Sequence, residues 1–94
     1  MTLDRFRASL AEPEPPTGLD DLGRALWYAG RDEWALAHDI VERDVTSSGA
    51  AVHAYLHRVE GDAWNADYWY RRAGREPFEG SAEEEWAALV GDMI

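Results

Sequence analysis

His53 and His57 are the residues of this 94-residue chain best placed for chemistry. They stand four apart in the string HAYLH, so on a helix both imidazoles point to one side, and Glu60 follows on the same flank. Two imidazoles at that spacing are a familiar half of a metal site, and His38, from a preceding helix, is the candidate for a third ligand. The string is HAYLH rather than HExxH, so the glutamate base of a metalloprotease is missing from its usual place. The plainer alternative weighs more at this stage: three histidines at the rim of a core, each bonded to an acid, a carbonyl or a Tyr hydroxyl.

A second set is Arg71, Arg72 and Arg75, the only basic cluster, beside Tyr68 and Tyr70. With Tyr55 and Trp64 it suggests a groove, lined by Tyr55, Trp64, Tyr68, Arg71 and Arg72, that would take a protein segment or a small anionic ligand. The same arginines also suit a helix C-terminus, where cations are favoured. Other chemistries find no footing. There is no Cys, and Ser47-Ser48 lacks a nucleophile-elbow pattern. No glycine-rich phosphate loop is present, and no cofactor is assigned. The acid pairs Asp20-Asp21 and Glu83 to Glu85 read as helix caps and solvated faces.

A net charge of −10 opposes nucleic acid and anionic membranes, both of which call for a basic footprint. No apolar run reaches the roughly 20 residues of a membrane span, and residues 1–10 lack the apolar stretch of a signal peptide, so a cytoplasmic location is expected. Residues are 46% hydrophobic with five Trp, and a few large rings can replace the many aliphatic side chains of an ordinary small core.

The elements that would position these groups are short helices. Leu3, Phe6 and Leu10 give a first stripe, capped by Thr2, and three prolines in Glu12–Pro16 make a stiff connector. Residues 20–44 read as one hairpin. Its first helix runs from Asp20 or Asp21 to Gly30, with Leu22, Ala25, Leu26 and Ala29 inward. Its second is capped by Asp32 and runs from Glu33 to about Arg43, with Trp34, Ala37, Ile40 and Val41 inward. Residues 48–74 read as another hairpin, Ala50–Glu60 and Ala63–Ala73, punctuated by Gly61 and Gly74. The core stripe of its first helix is Val52, Leu56 and Val59. Its second helix has apolar rings on two faces, Ala66, Trp69, Tyr70 and Ala73 against Trp64 and Tyr68, so both sides are expected to be packed. Ser81-Ala-Glu-Glu84 is a capping box opening a last helix through Trp86, Leu89, Val90 and Met93, a candidate cover for one aromatic face.

The stretch Ala25–Ala37 superimposes on Ala54–Ala66 at an offset of 29 residues, and repeated helical hairpins point to a stacked fold. In the second copy Ala54, Gly61, Ala66, Tyr70 and Ala73 resemble a tetratricopeptide repeat. The first copy departs from it, with Asp32 at the glycine position and Val41 at the ring position, and the period is shorter than about 34. The string HAYLHRVEGDAWNADYWYRRAG, with Ala37-His38 and Glu85-Trp86, is also similar to an uncharacterised family of short bacterial and fungal proteins. That resemblance implies the helical architecture and brings no activity with it.

The sequence therefore predicts one all-α domain over residues 1–94. It has five to six helices, with two stacked antiparallel hairpins of tetratricopeptide-like type between N- and C-terminal capping helices (1–17 and 81–94). The favoured function is a non-enzymatic interaction or ligand-binding module, as a monomer or homodimer. The alternative is a small metal-dependent or acid–base enzyme using His38, His53, His57 and Glu60.

Overall fold

The computed structural model describes residues 1–94 and is all α: α1 (Leu3–Ser9), α2 (Asp21–Gly30), α3 (Trp34–Val41), α4 (Ser47–Glu60), α5 (Ala63–Ala73) and α6 (Ala82–Met93). No helix is long and apolar enough to cross a membrane. Each helix but one begins at a side-chain cap. Thr2, Asp20, Thr46, Asp62 and Ser81 accept from the backbone N–H three residues on, at 2.9–3.2 Å, and Ser81 with Glu84 completes the capping box. Because Thr46 is the cap, α4 starts three residues earlier than the sequence pattern suggests.

α2–α3 and α4–α5 are hairpins closed by the same turn. Asp32 N–H donates to Ala29 O and Glu33 N–H to Tyr28 O. Twenty-nine residues on, Gly61 N–H donates to Arg58 O and Asp62 N–H to His57 O. Gly61 and Asp32 both take the left-handed conformation, φ 87° and 60°. Asp32 is therefore not the cap of α3. It occupies the turn position that glycine fills in the second hairpin, and α3 begins after Glu33 with no side-chain cap.

The element at the centre is α4, not α5. Every residue from Gly49 to His57 is buried, covered by α2, α3, α5 and α6. One face packs with Phe6 of α1, Leu22, Ala25, Leu26 and Trp27 of α2, Ala37 and Val41 of α3, and Trp86, Leu89 and Val90 of α6. The opposite face forms a smaller cluster in which Ala54 meets Ala66 and Tyr70. Val59, expected inside, is half-exposed at the end of the helix.

Three indoles fasten neighbouring elements by donating to main-chain carbonyls: Trp27 to Ser9 O (3.2 Å), Trp34 to Leu56 O (2.6 Å) and Trp86 to Leu26 O (2.8 Å). Trp27 lies off the stripe the sequence marks on α2, yet it is fully buried. The segment after α1 folds over it, and Arg31 lies across its ring at 4.7 Å while donating to Leu10 O and Glu12 O. Gly30 is no left-handed stop. It is bare so that Trp86 and Leu10 can approach, and a Cβ there would stand 2.9 Å from the Trp86 ring.

The apolar stripe of α6 faces α2 and α4 rather than an aromatic face of α5. α6 meets α5 through a buried acid: Glu85 accepts from the Tyr70 hydroxyl at 2.6 Å and pairs with Arg58 of α4 at 2.9 Å. Arg58 also donates to Gly80 O, tying down the loop before α6. Burial and the adjacent Glu85 hold the Tyr70 hydroxyl protonated, above its ordinary range.

The shared turn gives a paired prediction. Asp32→Gly relieves a left-handed non-glycine residue and raises stability by about 0.5–1 kcal/mol, whereas Gly61→Ala introduces that strain and costs about 1 kcal/mol. Urea unfolding of the two variants beside the parent measures both.

Candidate functional site

His38 of α3 and His53 and His57 of α4 come together between the two hairpins, with one ring nitrogen from each within 4.8 Å of the others. The local sequence explains the geometry. His53 and His57 are one helical turn apart on the fully buried stretch of α4. His38 sits on the face of α3 that turns toward α4, in a stack with Trp34, whose indole is bonded to Leu56 O.

Ring stacking fixes the planes. Trp34 lies over His38 (4.7 Å between centroids, 10° between planes), and Trp69 of α5 lies over His53 (3.8 Å, 11°). His53 and His57 are themselves roughly parallel at 4.9 Å. His53 is 4% exposed and His57 8%. Trp69 thus gives the inner aromatic face of α5 its partner, an imidazole rather than an aliphatic side chain.

Hydrogen bonds fix which nitrogens are free. His57 Nδ1 donates to Glu60 at 2.7 Å, and His38 Nδ1 stands 3.2 Å from a Glu42 carboxylate oxygen without the alignment of a hydrogen bond. In the neutral His57 ring that leaves Nε2 with the lone pair. His38 Nε2 lies 3.1 Å from His53 Nε2, so the two rings share one proton between those nitrogens. Glu60, a candidate ligand from sequence, is instead engaged with the His57 ring. Glu42 stands beside His38 on the other side, and sequence reasoning passed it over, although it lies four residues after His38, the spacing that joins side chains along a helix.

Burial, then the neighbouring His38 and His57, push the His53 imidazole down from 6.5 to about 4, so it is neutral at physiological pH. A neutral imidazole ligates through the nitrogen that does not carry its proton, with no net proton to lose from the ring. A second trio, His57, Glu60 and Asp62, also has donors within 4.8 Å, but Asp62 is occupied as the cap of α5, receiving bonds from Asn65 N and Nδ2.

The five residues expected to line one groove are not brought together. Tyr55 is buried on the α2–α6 side of α4, with the main core. Trp64 and Tyr68 are 76% and 42% exposed on the outer face of α5, so that face is uncovered, contrary to the expectation that both would be packed. Their rings lie nearly parallel at 6.5 Å. Arg72 joins them, donating to the Tyr68 hydroxyl at 3.1 Å and lying over the Trp69 ring at 5.3 Å. Arg71 is exposed, and Arg75 pairs loosely with Asp92 at 3.7 Å. Tyr70 points the other way, to Glu85.

Searches against family models, curated proteins and solved structures find no match to this chain.

The acid limb of stability follows from His53. Its pKa is lower folded than unfolded, so the unfolded chain binds more protons between pH 6.5 and 4, and stability falls as pH drops through that window. The expected loss is about 3 kcal/mol, complete near pH 4. Thermal unfolding from pH 7.5 to 4 measures it, and His53→Phe, which keeps a ring against Trp69, flattens the slope.

Proposed function

We propose that this protein is a divalent-metal-binding helical module whose ligands are His38, His53 and His57, with Zn²⁺ the best chemical fit. One observation carries the reading: three imidazoles converge, and each outer one has a carboxylate at its Nδ1, Glu60 accepting a hydrogen bond from His57 and Glu42 standing 3.2 Å from His38. Ligating histidines commonly donate their second nitrogen to a carboxylate, which fixes the tautomer and raises basicity. The spacing also suits the ion. Two nitrogens bound tetrahedrally at about 2.0–2.1 Å stand about 3.3 Å apart, close to the 3.1 Å between His38 and His53. The widest separation, 4.8 Å at most, then contracts by about 1.5 Å through side-chain rotation. Three protein nitrogens leave a fourth position for water or an external donor, reached from the His38 side, where the side chain is 22% exposed. The ion would clamp α3 to α4.

Titration calorimetry of protein prepared without a polyhistidine tag tests this. One Zn²⁺ per chain is expected, with a rise in melting temperature that a chelator reverses. At a free concentration 100 times Kd the gain is about 2.7 kcal/mol. His38→Ala, at the rim of the cluster, should abolish binding, and Glu42→Gln or Glu60→Gln should weaken it about 10- to 100-fold. No heat and no thermal shift with Zn²⁺, Co²⁺ or Ni²⁺ would remove the proposal.

A second reading rests on the uncovered rings of α5. Trp64, Tyr68 and Arg72 offer a flat aromatic surface with a cation beside it, suited to a protein segment or a small anionic ligand. Since these side chains support no core, Trp64→Ala should change stability by no more than about 0.5 kcal/mol while weakening any such association. Urea unfolding checks the first half; a loss above 2 kcal/mol would show that the ring is structural.

A further inference from the structure

On the opposite side of α4 from Trp69 lies a cleft that the metal reading does not use. Two cavities, about 390 and 250 Å³, share Ala29, Asp32, Tyr55 and Val59 as walls and so run into each other. The larger is lined in addition by Leu10, Gly30 and Trp86, the smaller by Trp34 and Leu56, and both open to solvent. This size and apolar lining suit a small organic molecule.

The polar groups in it are few. Tyr55 is 94% buried, its relative exposure being 6%, and its hydroxyl makes no hydrogen bond within the protein. No fully buried polar atom in the chain lacks a partner, so this hydroxyl reaches open space, and the space it borders is the cleft. Asp32 and Glu83 line the larger cavity and take part in no ion pair, whereas Glu60 at the far end is held by His57. Asp32 is also the residue that stands left-handed where the matching turn uses glycine, so the carboxylate sits there against the backbone preference. One cation borders the larger cavity, Arg7, whose guanidinium already lies over the Trp86 ring at 5.7 Å. It leaves two free carboxylates to one Arg, and it shows that this aromatic wall accepts a positive group.

We infer that this cleft binds a small primary amine with an apolar body. The ammonium group donates to the Tyr55 hydroxyl and the Asp32 carboxylate, with Glu83 adding attraction, while the carbon chain lies along Ala29, Val59 and the Trp86 ring. The phenol oxygen can accept one N–H, and a charge-assisted bond beside an aromatic face favours the ammonium over a neutral head. An anionic ligand is disfavoured by the same two carboxylates. Trp34 and Glu60 form a common wall with the histidine cluster but supply none of its nitrogens, so the two sites stand or fall separately.

The test is a ¹H–¹⁵N NMR titration of the full chain with n-pentylamine hydrochloride at pH 7.5. Shifts are expected at residues 29–34, 55–60 and 82–86, saturating at millimolar concentration. n-Pentanol, with the same body and no charge, should bind at least tenfold more weakly. Tyr55→Phe keeps the core ring and Asp32→Gly keeps the turn, so both variants fold, and each should weaken amine binding at least fivefold. Binding by the parent chain should be the same with and without excess EDTA, which separates this result from the metal titration. Absent shifts, equal binding of pentanol, or unaltered binding in Asp32→Gly would overturn the inference. So would tighter binding of Nα-acetyl-lysine amide, since the site would then be one for a Lys side chain.

Discussion

Nine consecutive residues of one helix, Gly49 to His57 in α4, are hidden from solvent, and the rest of the chain is arranged to hide them. A ninety-residue protein cannot usually bury a helix all round, because its surface is large relative to its interior. Here small side chains allow it. Ala50, Ala51 and Ala54 let neighbours approach closely, and the large volume comes from outside, from Phe6, Trp27 and Trp86 on one flank and Tyr70 and Trp69 on the other. α2, α3, α5 and α6 are amphipathic because each covers one sector of α4.

Such enclosure makes polar groups on α4 costly unless they are satisfied. The helix nevertheless carries two buried histidines, and every buried polar atom has a partner. The histidines are served by Glu60, by His38 and, through it, by Glu42; the acid that enters from α6 is served by Arg58 and Tyr70. Both networks lie where two or three helices meet, so they also fix how the helices are placed. The difference between them is chemical. The Glu85 network is a closed ion pair, while the imidazole cluster turns one ring nitrogen from each of three histidines toward a common point, a configuration that can share a proton or hold a metal.

The number, type and punctuation of the helices were legible in the sequence, since caps and left-handed glycines are local signals: Thr2, Asp62, Ser81, Gly61 and Gly74 all act as their types suggest. What the sequence concealed is which faces meet. α5 has rings on two sides, and no local signal says that Trp69 and Tyr70 would be taken inward while Trp64 and Tyr68 stayed out. That choice is made by α4 and α6 together. Trp27 was hidden for the same reason, because its cover comes from the segment after α1. The histidine cluster was half visible: the spacing of His53 and His57 is local, but its meeting with His38 depends on hairpin packing. Glu85 read as an exposed helix-start acid, and its burial depends on Arg58, 27 residues away.

The stacking of indole on imidazole has a photophysical consequence. Protonated imidazole withdraws excitation from an adjacent indole far better than the neutral ring does, and two of the five tryptophans, Trp34 and Trp69, lie flat against His38 and His53. Their emission is therefore wired to the charge state of the cluster, while the exposed Trp64 supplies a steady background. The molecule is its own optical gauge of whatever occupies those nitrogens.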